Sequence, residues 1–181
     1  MVNQIRRMAK VVRVLLKVVF VIAVIETIWA LATYRDLTGI FVDAETYRDT
    51  TAYIIIHHDG ADKPVSVKAV QDYHKNVKGW ESGFGYNFYL KNGKIYQLHE
   101  VNACTANALG YNCNAVSICI HTPDKHDTRT QLNLIILVNA LKLKYQIPTG
   151  NVVGHCDLPN QGNTQCPLMD INKLRKWIIG K

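Results

Sequence analysis

The sequence AYIIIH, residues 52–57, is a run of aromatic and β-branched residues of strand length. Because it does not alternate with polar residues, we expect a strand that is buried on both faces of a sheet. The run ends in two histidines, His57 and His58, followed by Asp59 and Gly60. This stretch therefore predicts a central strand. The end of a buried strand is a rigid support that suits a metal ligand, but a histidine at such a position is more often a structural or surface residue.

Strand and helix patterns continue after this run. Residues 86–90 and 95–98 flank Lys91-Asn92-Gly93-Lys94, where Asn-Gly supplies the positive φ angles of a tight hairpin turn. We predict two further strands, at 115–121 and 151–154, and three helices, at 66–76, 130–145 and 170–179. The second helix carries a wide apolar stripe formed by Leu132, Leu134, Ile135, Val138, Leu141 and Leu143.

These elements predict an α/β fold in which a mixed central β-sheet is flanked by helices and preceded by an N-terminal hydrophobic helix. The chain has 181 residues, enough for one ordinary domain beside a targeting segment. We expect three parts: a signal segment at 1–33, a linker at 34–51 and the functional domain at 52–181.

The net charge of +7 is concentrated near the N-terminus. Five basic residues and one acid, Glu26, give the first 33 residues a charge of +4. The remaining residues carry only mild positive charge and no basic patch with interleaved aromatics, which argues against a nucleic-acid partner.

Residues 18–33 read VVFVIAVIETIWALAT, an apolar run behind the basic segment that is typical of export. One interpretation is an uncleaved signal anchor, which is a transmembrane helix; another is a signal peptide cut after Ala30-Leu31-Ala32. Both place the domain outside the membrane, either anchored or secreted, with the N-terminus in the cytoplasm. A third is a basic amphipathic helix on the inner leaflet.

The chain has five cysteines, an odd number that excludes complete pairing within one chain. Cys104 and Cys113 flank a loop and can form a disulfide if the domain is exported, or stay as two thiols. A thiol enzyme is one hypothesis, although the chain contains no Cys-x-x-Cys.

A hydrolytic zinc site needs three nitrogen, sulfur or oxygen ligands and one open position. His57 closes a strand, and His155 and Cys166 lie on a loop roughly a hundred residues later. The ten residues between His155 and Cys166 match no compact zinc motif, so spacing alone does not select this set.

Five segments, taken together and in order, are far more specific. They are IIIHHDG (54–60), GWESGFGYNFYL (79–90), GYN (110–112), VVGHCDLP (152–159) and NTQCP (163–167). In this order they resemble the type 2 N-acetylmuramoyl-L-alanine amidases, and also the peptidoglycan recognition proteins and small phage amidase endolysins that share their fold. The resemblance covers roughly residues 52–178. It implies a zinc amidase that cuts peptidoglycan between N-acetylmuramic acid and L-alanine. We also expect the protein to be a monomer.

The resemblance also implies particular metal ligands. The first is the histidine that ends the inner strand, which matches His57 rather than His58. The second follows a Val-Gly pair and matches His155, and the third is the cysteine before proline, Cys166. Cys156 is an alternative ligand, but the Cys-Pro context favours Cys166.

Two catalytic residues follow from the same resemblance. Tyr86 matches a tyrosine whose hydroxyl lies near the bound water, and Thr164 matches a position that assists the tetrahedral intermediate. Asn107 stands where the family often has a histidine, so it can form a hydrogen bond there but cannot carry a proton. We assign Asn107 and His58 to substrate binding.

The alternative function is a non-catalytic peptidoglycan-binding module, a class that typically lacks the third ligand that this chain retains.

Overall fold

The computed structural model describes residues 2–37 and 46–178. The chain divides into two compact units, Met1–Thr33 and Tyr34–Lys181. In the first unit, Val2–Thr33 form helix α1. No helix among the described residues combines the length and apolar character needed to cross a membrane. The transmembrane helix predicted from the sequence is therefore not found among the described residues.

The second unit is built on a sheet to which the described residues contribute six strands. These are β1 (Tyr34–Asp36), β2 (Tyr53–His58), β3 (Phe88–Lys91), β4 (Lys94–Gln97), β5 (Ala115–Ile120) and β6 (Val152–Gly154). Their order across the sheet is β1-β4-β3-β5-β2-β6. Only the β3–β4 hairpin is antiparallel; the other neighbouring pairs are parallel. The predicted mixed sheet is thus confirmed.

Strand β2 lies between β5 and β6 and is buried on both faces, as its continuous apolar run predicts. Ile54 and Ile56 belong to the main core cluster, whereas Ile55 belongs to a second cluster. Successive side chains of a strand point to opposite faces, so His57 shares the face of Ile55.

Three helices flank this sheet: α2 (Val67–Asn76), α3 (Thr128–Tyr145) and α4 (Ile171–Trp177). Helices α3 and α4 supply Leu134, Val138 and Leu174 to the main core cluster with Ile54. Helix α2 supplies Val70 to a separate cluster. The side chains of Ser66, Asp127 and Asp170 cap the three helices by accepting backbone N–H groups.

Some details differ from the sequence predictions. Strand β1 lies within the segment predicted as a linker, of which residues 38–45 are outside the described residues. Leu143 was assigned to the apolar stripe of α3, but its side chain is 69% exposed. The predicted hairpin turn is confirmed, with positive φ angles at Asn92 and Gly93.

Candidate metal centre

The carboxyl ends of two neighbouring parallel strands bring two histidines together. His57 lies near the end of β2, and His155 follows directly after β6 in a short 3-10 turn. The two strands pair in parallel with Ile56 opposite Gly154. The centres of the two imidazole rings are consequently 4.7 Å apart.

The third group of the cluster is Cys166, which is buried in the loop that precedes α4. Its sulfur lies 3.7 Å from Nδ1 of His57 and accepts a hydrogen bond of 3.3 Å from the backbone N–H of His58. The carbonyl of Cys166 accepts the backbone N–H of Cys156, which ties the loop to the turn that carries His155. One hydrogen bond thus holds the sulfur of Cys166 and another holds its backbone.

Ligand atoms of His57, His155 and Cys166 all lie within 4.8 Å of one another. Two imidazoles and one thiolate form a donor set that suits zinc. Burial lowers the pKa of His57 to about 3, and His155 acts in the same direction, so the ring is neutral and offers a lone pair. Burial raises the pKa of Cys166 to about 11, an effect that a bound cation would oppose. The residues therefore fit a zinc ion.

Gly154 permits the close approach of the Cys166 loop to strand β6. A Cβ atom at this position would lie only 2.8 Å from Cδ of Pro167 and 3.2 Å from Cγ1 of Ile171. Only a glycine allows Pro167, and with it the neighbouring Cys166, to pack this tightly against the strand end.

Tyr86 lies beside the cluster, with its ring centre 5.2 Å from that of His57. Burial, together with the sulfurs of Cys119 and Cys166, raises the pKa of Tyr86 well above its ordinary value. The hydroxyl is therefore protonated at neutral pH and can donate a hydrogen bond. The next residue, Asn87, is fully buried and forms hydrogen bonds with Ser117 that anchor this segment to strand β5.

Thr164 and Asn107 also lie next to cluster residues. The Thr164 hydroxyl accepts the backbone N–H of Cys166 at 3.1 Å, so its own O–H remains a donor. The Asn107 amide donates to the backbone oxygen of Thr105 at 2.9 Å. Burial is the larger effect on the pKa of His57 and lowers it; the polar side chain of Asn107 favours the protonated ring and so raises this pKa. Within the described residues, the buried Oδ1 of Asn107 and Nε2 of His57 have no partner in ordinary hydrogen-bond geometry.

His58 contributes its backbone rather than its ring to the cluster. The ring Nδ1 accepts the backbone N–H of Gly60 at 2.9 Å and lies 3.1 Å from the Thr122 hydroxyl. These contacts occupy the ring Nδ1 of His58, whereas its backbone N–H donates to the Cys166 sulfur.

A buried polar network around Asp59 was not predicted from the sequence. One carboxylate oxygen of Asp59 accepts the Tyr89 hydroxyl at 2.6 Å and lies 2.6 Å from Nδ1 of His121. The other accepts both the backbone N–H and the hydroxyl of Thr122. The only signal in the sequence was that Asp59 follows one predicted strand and His121 is the last residue of another.

The other four cysteines lie outside the ligand cluster. Cys104 and Cys113 form a disulfide, the first of the two predicted alternatives. Cys119 is fully buried beside Tyr86, and Cys156 is exposed with its sulfur near Asp157. The described residues therefore group Cys166, and not Cys156, with the two histidines.

A shallow groove of about 410 Å³ borders His155. Its walls include Trp80, Asn107, Leu109 and Gln161. The groove is open to the surface and includes His155, so this candidate ligand can be reached from solvent.

Both the sequence and the fold of this chain are similar to those of known proteins. A family model described as N-acetylmuramoyl-L-alanine amidase matches residues 47–168, a range that contains all three candidate ligands. No curated protein gave a significant match.

Several solved structures share the fold at low sequence identity. N-acetylmuramoyl-L-alanine amidase LysC from Clostridium intestinale URNW is 24% identical, with a TM-score of 0.67 over 79% of this chain and 95% of that chain. The Ph2119 endolysin from Thermus scotoductus MAT2119 bacteriophage Ph2119 is 18% identical, with a TM-score of 0.64 over 80% and 97% of the two chains. Drosophila PGRP-LB is 24% identical, with a TM-score of 0.61 over 75% and 88%.

Proposed function

The chain belongs to the N-acetylmuramoyl-L-alanine amidase family, and from this we propose that it hydrolyses, with zinc as cofactor, the amide bond between N-acetylmuramic acid and L-alanine in peptidoglycan. The observation that carries the zinc dependence is the cluster of His57, His155 and Cys166, whose ligand atoms lie within 4.8 Å of one another. Two histidines and one cysteine leave a fourth position of a tetrahedral site open, as hydrolysis requires.

When bound there, zinc supplies a Lewis acid for the amide carbonyl and hydroxide at neutral pH. The protein residues hold and tune this centre. The His57 ring is fixed by burial at the end of β2, and the Cys166 thiolate is stabilised by the N–H of His58. A zinc ion held by one thiolate and two imidazoles would form a site with a net charge of +1, which favours an anionic transition state.

Tyr86 and Thr164 are the proposed donors to the oxygen on which negative charge develops. The Tyr86 hydroxyl is protonated because burial raises its pKa. The Thr164 hydroxyl already accepts from Cys166, which fixes its position and leaves its proton to donate. Donors that are held in place before reaction stabilise an oxyanion with little reorganisation. Asn107, in the groove wall, and His58 are proposed to contact the substrate.

The experiment is a zinc measurement on the purified full chain combined with release of stem peptides from cell walls. We expect one zinc per chain and peptide release that stops when a chelator removes the metal. Cys166→Ser should lose both zinc and activity, whereas Cys156→Ser, which changes an exposed thiol outside the cluster, should keep both.

Three outcomes would contradict the proposal in different ways. Undiminished activity of Cys166→Ser would overturn the ligand assignment. Muropeptide binding by a chain without zinc or cleavage would identify a binding module. Full activity after metal removal would identify a thiol enzyme.

We also propose that the domain acts outside the cytoplasm. A disulfide between Cys104 and Cys113 is the type of bond that persists in oxidising compartments. In cells that express the full chain, a thiol reagent added before lysis should label Cys156 but label this pair only after reduction. Labelling of both Cys104 and Cys113 without reduction would overturn this proposal.

A further inference from the structure

Gln161 lies in the loop between two candidate ligands and belongs to no motif of the sequence. Its side-chain amide contacts three separate parts of this region: the backbone of Leu109, the backbone of Pro159 and the ring of His155. Each contact is 2.9–3.1 Å long. One side chain thus joins the ligand loop to the wall of the groove.

The orientation of this amide is fixed by its backbone partners. The nitrogen Nε2 donates to the carbonyl of Leu109 at 3.0 Å and to that of Pro159 at 2.9 Å. The oxygen Oε1 accepts the N–H of Leu109 at 3.0 Å. The reverse orientation would place an NH₂ group against an N–H and an oxygen against two carbonyls, so the backbone excludes it.

This orientation determines the tautomer of His155. Oε1 of Gln161 lies 3.1 Å from Nε2 of His155 and carries no hydrogen, so the ring nitrogen must be the donor. A neutral imidazole that is protonated on Nε2 has its lone pair on Nδ1. The ring therefore offers Nδ1 to the cluster.

We infer that Gln161 is a positioning residue for the metal centre, acting through His155 in two ways. It selects the Nε2-protonated tautomer of His155, and it ties the groove wall at Leu109 to the loop that carries the ligands. This inference rests on the proposed zinc amidase. Partners that orient a metal-bound histidine change metal affinity or activity by about 10- to 100-fold when they are removed.

Two substitutions separate these roles, and a third is the control. Gln161→Ala removes the acceptor and the donors together. Gln161→Glu keeps an oxygen acceptor for His155 but cannot donate to Leu109 or Pro159. Gln165→Ala removes an exposed amide of the same loop whose side chain lacks these contacts.

The measurements are ring ¹⁵N NMR of His155 and zinc affinity by chelator competition. Wild type and Gln161→Glu should show a protonated Nε2 in the metal-free protein, whereas Gln161→Ala should lose this single tautomer and bind zinc about 10- to 100-fold more weakly. Gln161→Glu should keep most of the zinc affinity but raise KM for cell walls, because the groove wall is released. Gln165→Ala should match wild type.

A native tautomer and native zinc affinity in Gln161→Ala would overturn the inference. Equal zinc loss in the alanine and glutamate variants with an unchanged tautomer would also overturn it, since that pattern reflects loop folding alone. If wild type binds no zinc, the proposed function fails, and the NMR spectrum of the metal-free protein still decides whether Gln161 sets the His155 tautomer.

Discussion

Nδ1 of His57 lies 3.7 Å from the sulfur of Cys166, although 109 positions separate the two residues in the sequence. The contact exists because β2 ends where the loop before α4 returns to the sheet, and the N–H of His58 holds the sulfur there. A contact between two candidate ligands so distant in sequence depends on the tertiary fold and not on local structure.

Tyr86→Phe should lower kcat for cell-wall hydrolysis by about 100-fold, which is the usual effect of removing one oxyanion donor. Zinc content should stay unchanged, because the hydroxyl is not a ligand. Peptide release at saturating substrate measures the effect, and Tyr47→Phe, at an exposed tyrosine, serves as the control. Normal kcat in Tyr86→Phe would remove this residue from the catalytic set.

Gly154→Ala should weaken zinc binding and lower the thermal unfolding temperature. The new methyl group would lie 2.8 Å from Pro167 and displace the segment that carries Cys166. Gly150→Ala is a matched control, because a Cβ at that glycine meets no atom within 4 Å. Chelator competition and calorimetry on both variants test the prediction; equal behaviour of the two would contradict it.

Asn87→Ala should destabilise the domain by about 3 kcal/mol or more, because it leaves several buried polar groups without partners. Its Nδ2 donates to the carbonyls of Glu100 and Ala103, and its Oδ1 accepts the N–H of Ser117. Urea unfolding measures the loss. Asn76→Ala, at an exposed position at the end of α2, should change stability little.

Asp127 gives helix α3 a cap whose strength depends on pH. The N–H of Thr130 lowers the pKa of this carboxyl group. Because the pKa is lower in the folded protein, the stabilisation is present above about pH 4 and is lost as the pH falls through the folded value.

Asp127→Ala should therefore be less stable than wild type by about 1 kcal/mol at pH 7, and the difference should shrink below about pH 4. Asp127→Asn should retain the cap at neutral pH. Thermal unfolding of the metal-free proteins from neutral pH to below about pH 4 measures this difference. A stability difference between wild type and Asp127→Ala that grows on acidification would contradict the prediction.

Reduction of the disulfide between Cys104 and Cys113 should lower the free energy of unfolding by about 2–3 kcal/mol, as expected for closing a short loop. Unfolding with and without reductant measures this change. The double variant Cys104→Ser, Cys113→Ser should be insensitive to the reductant, and any remaining sensitivity would point to another cysteine.

The sequence predicted the parts of the fold that depend on local patterns. The apolar run before His57 is suited to a strand that is buried on both faces. The pair Asn92-Gly93 is suited to a tight hairpin turn, because both residues adopt positive φ angles. Strand β1 was not predicted, because three residues carry too little pattern and owe their structure to pairing with β4.

The candidate site was predicted by resemblance more than by spacing. His57 is about a hundred positions from His155 and Cys166 in the sequence, and the parallel pairing of β2 with β6 brings the two histidines together. Gln161 was not predicted, because its role depends on the orientation of one amide against the backbone of Leu109, which no motif encodes.

Among the strands that the structure describes, β6 is the last in the chain, and it lies at the edge of the sheet. While the protein is being translated, β2 to β5 leave the ribosome first, and His57 has no second ligand until β6 and the following turn have emerged. A nascent chain interrupted before Cys166 therefore has no complete centre. The cluster of His57, His155 and Cys166 can therefore assemble only after translation has passed Cys166.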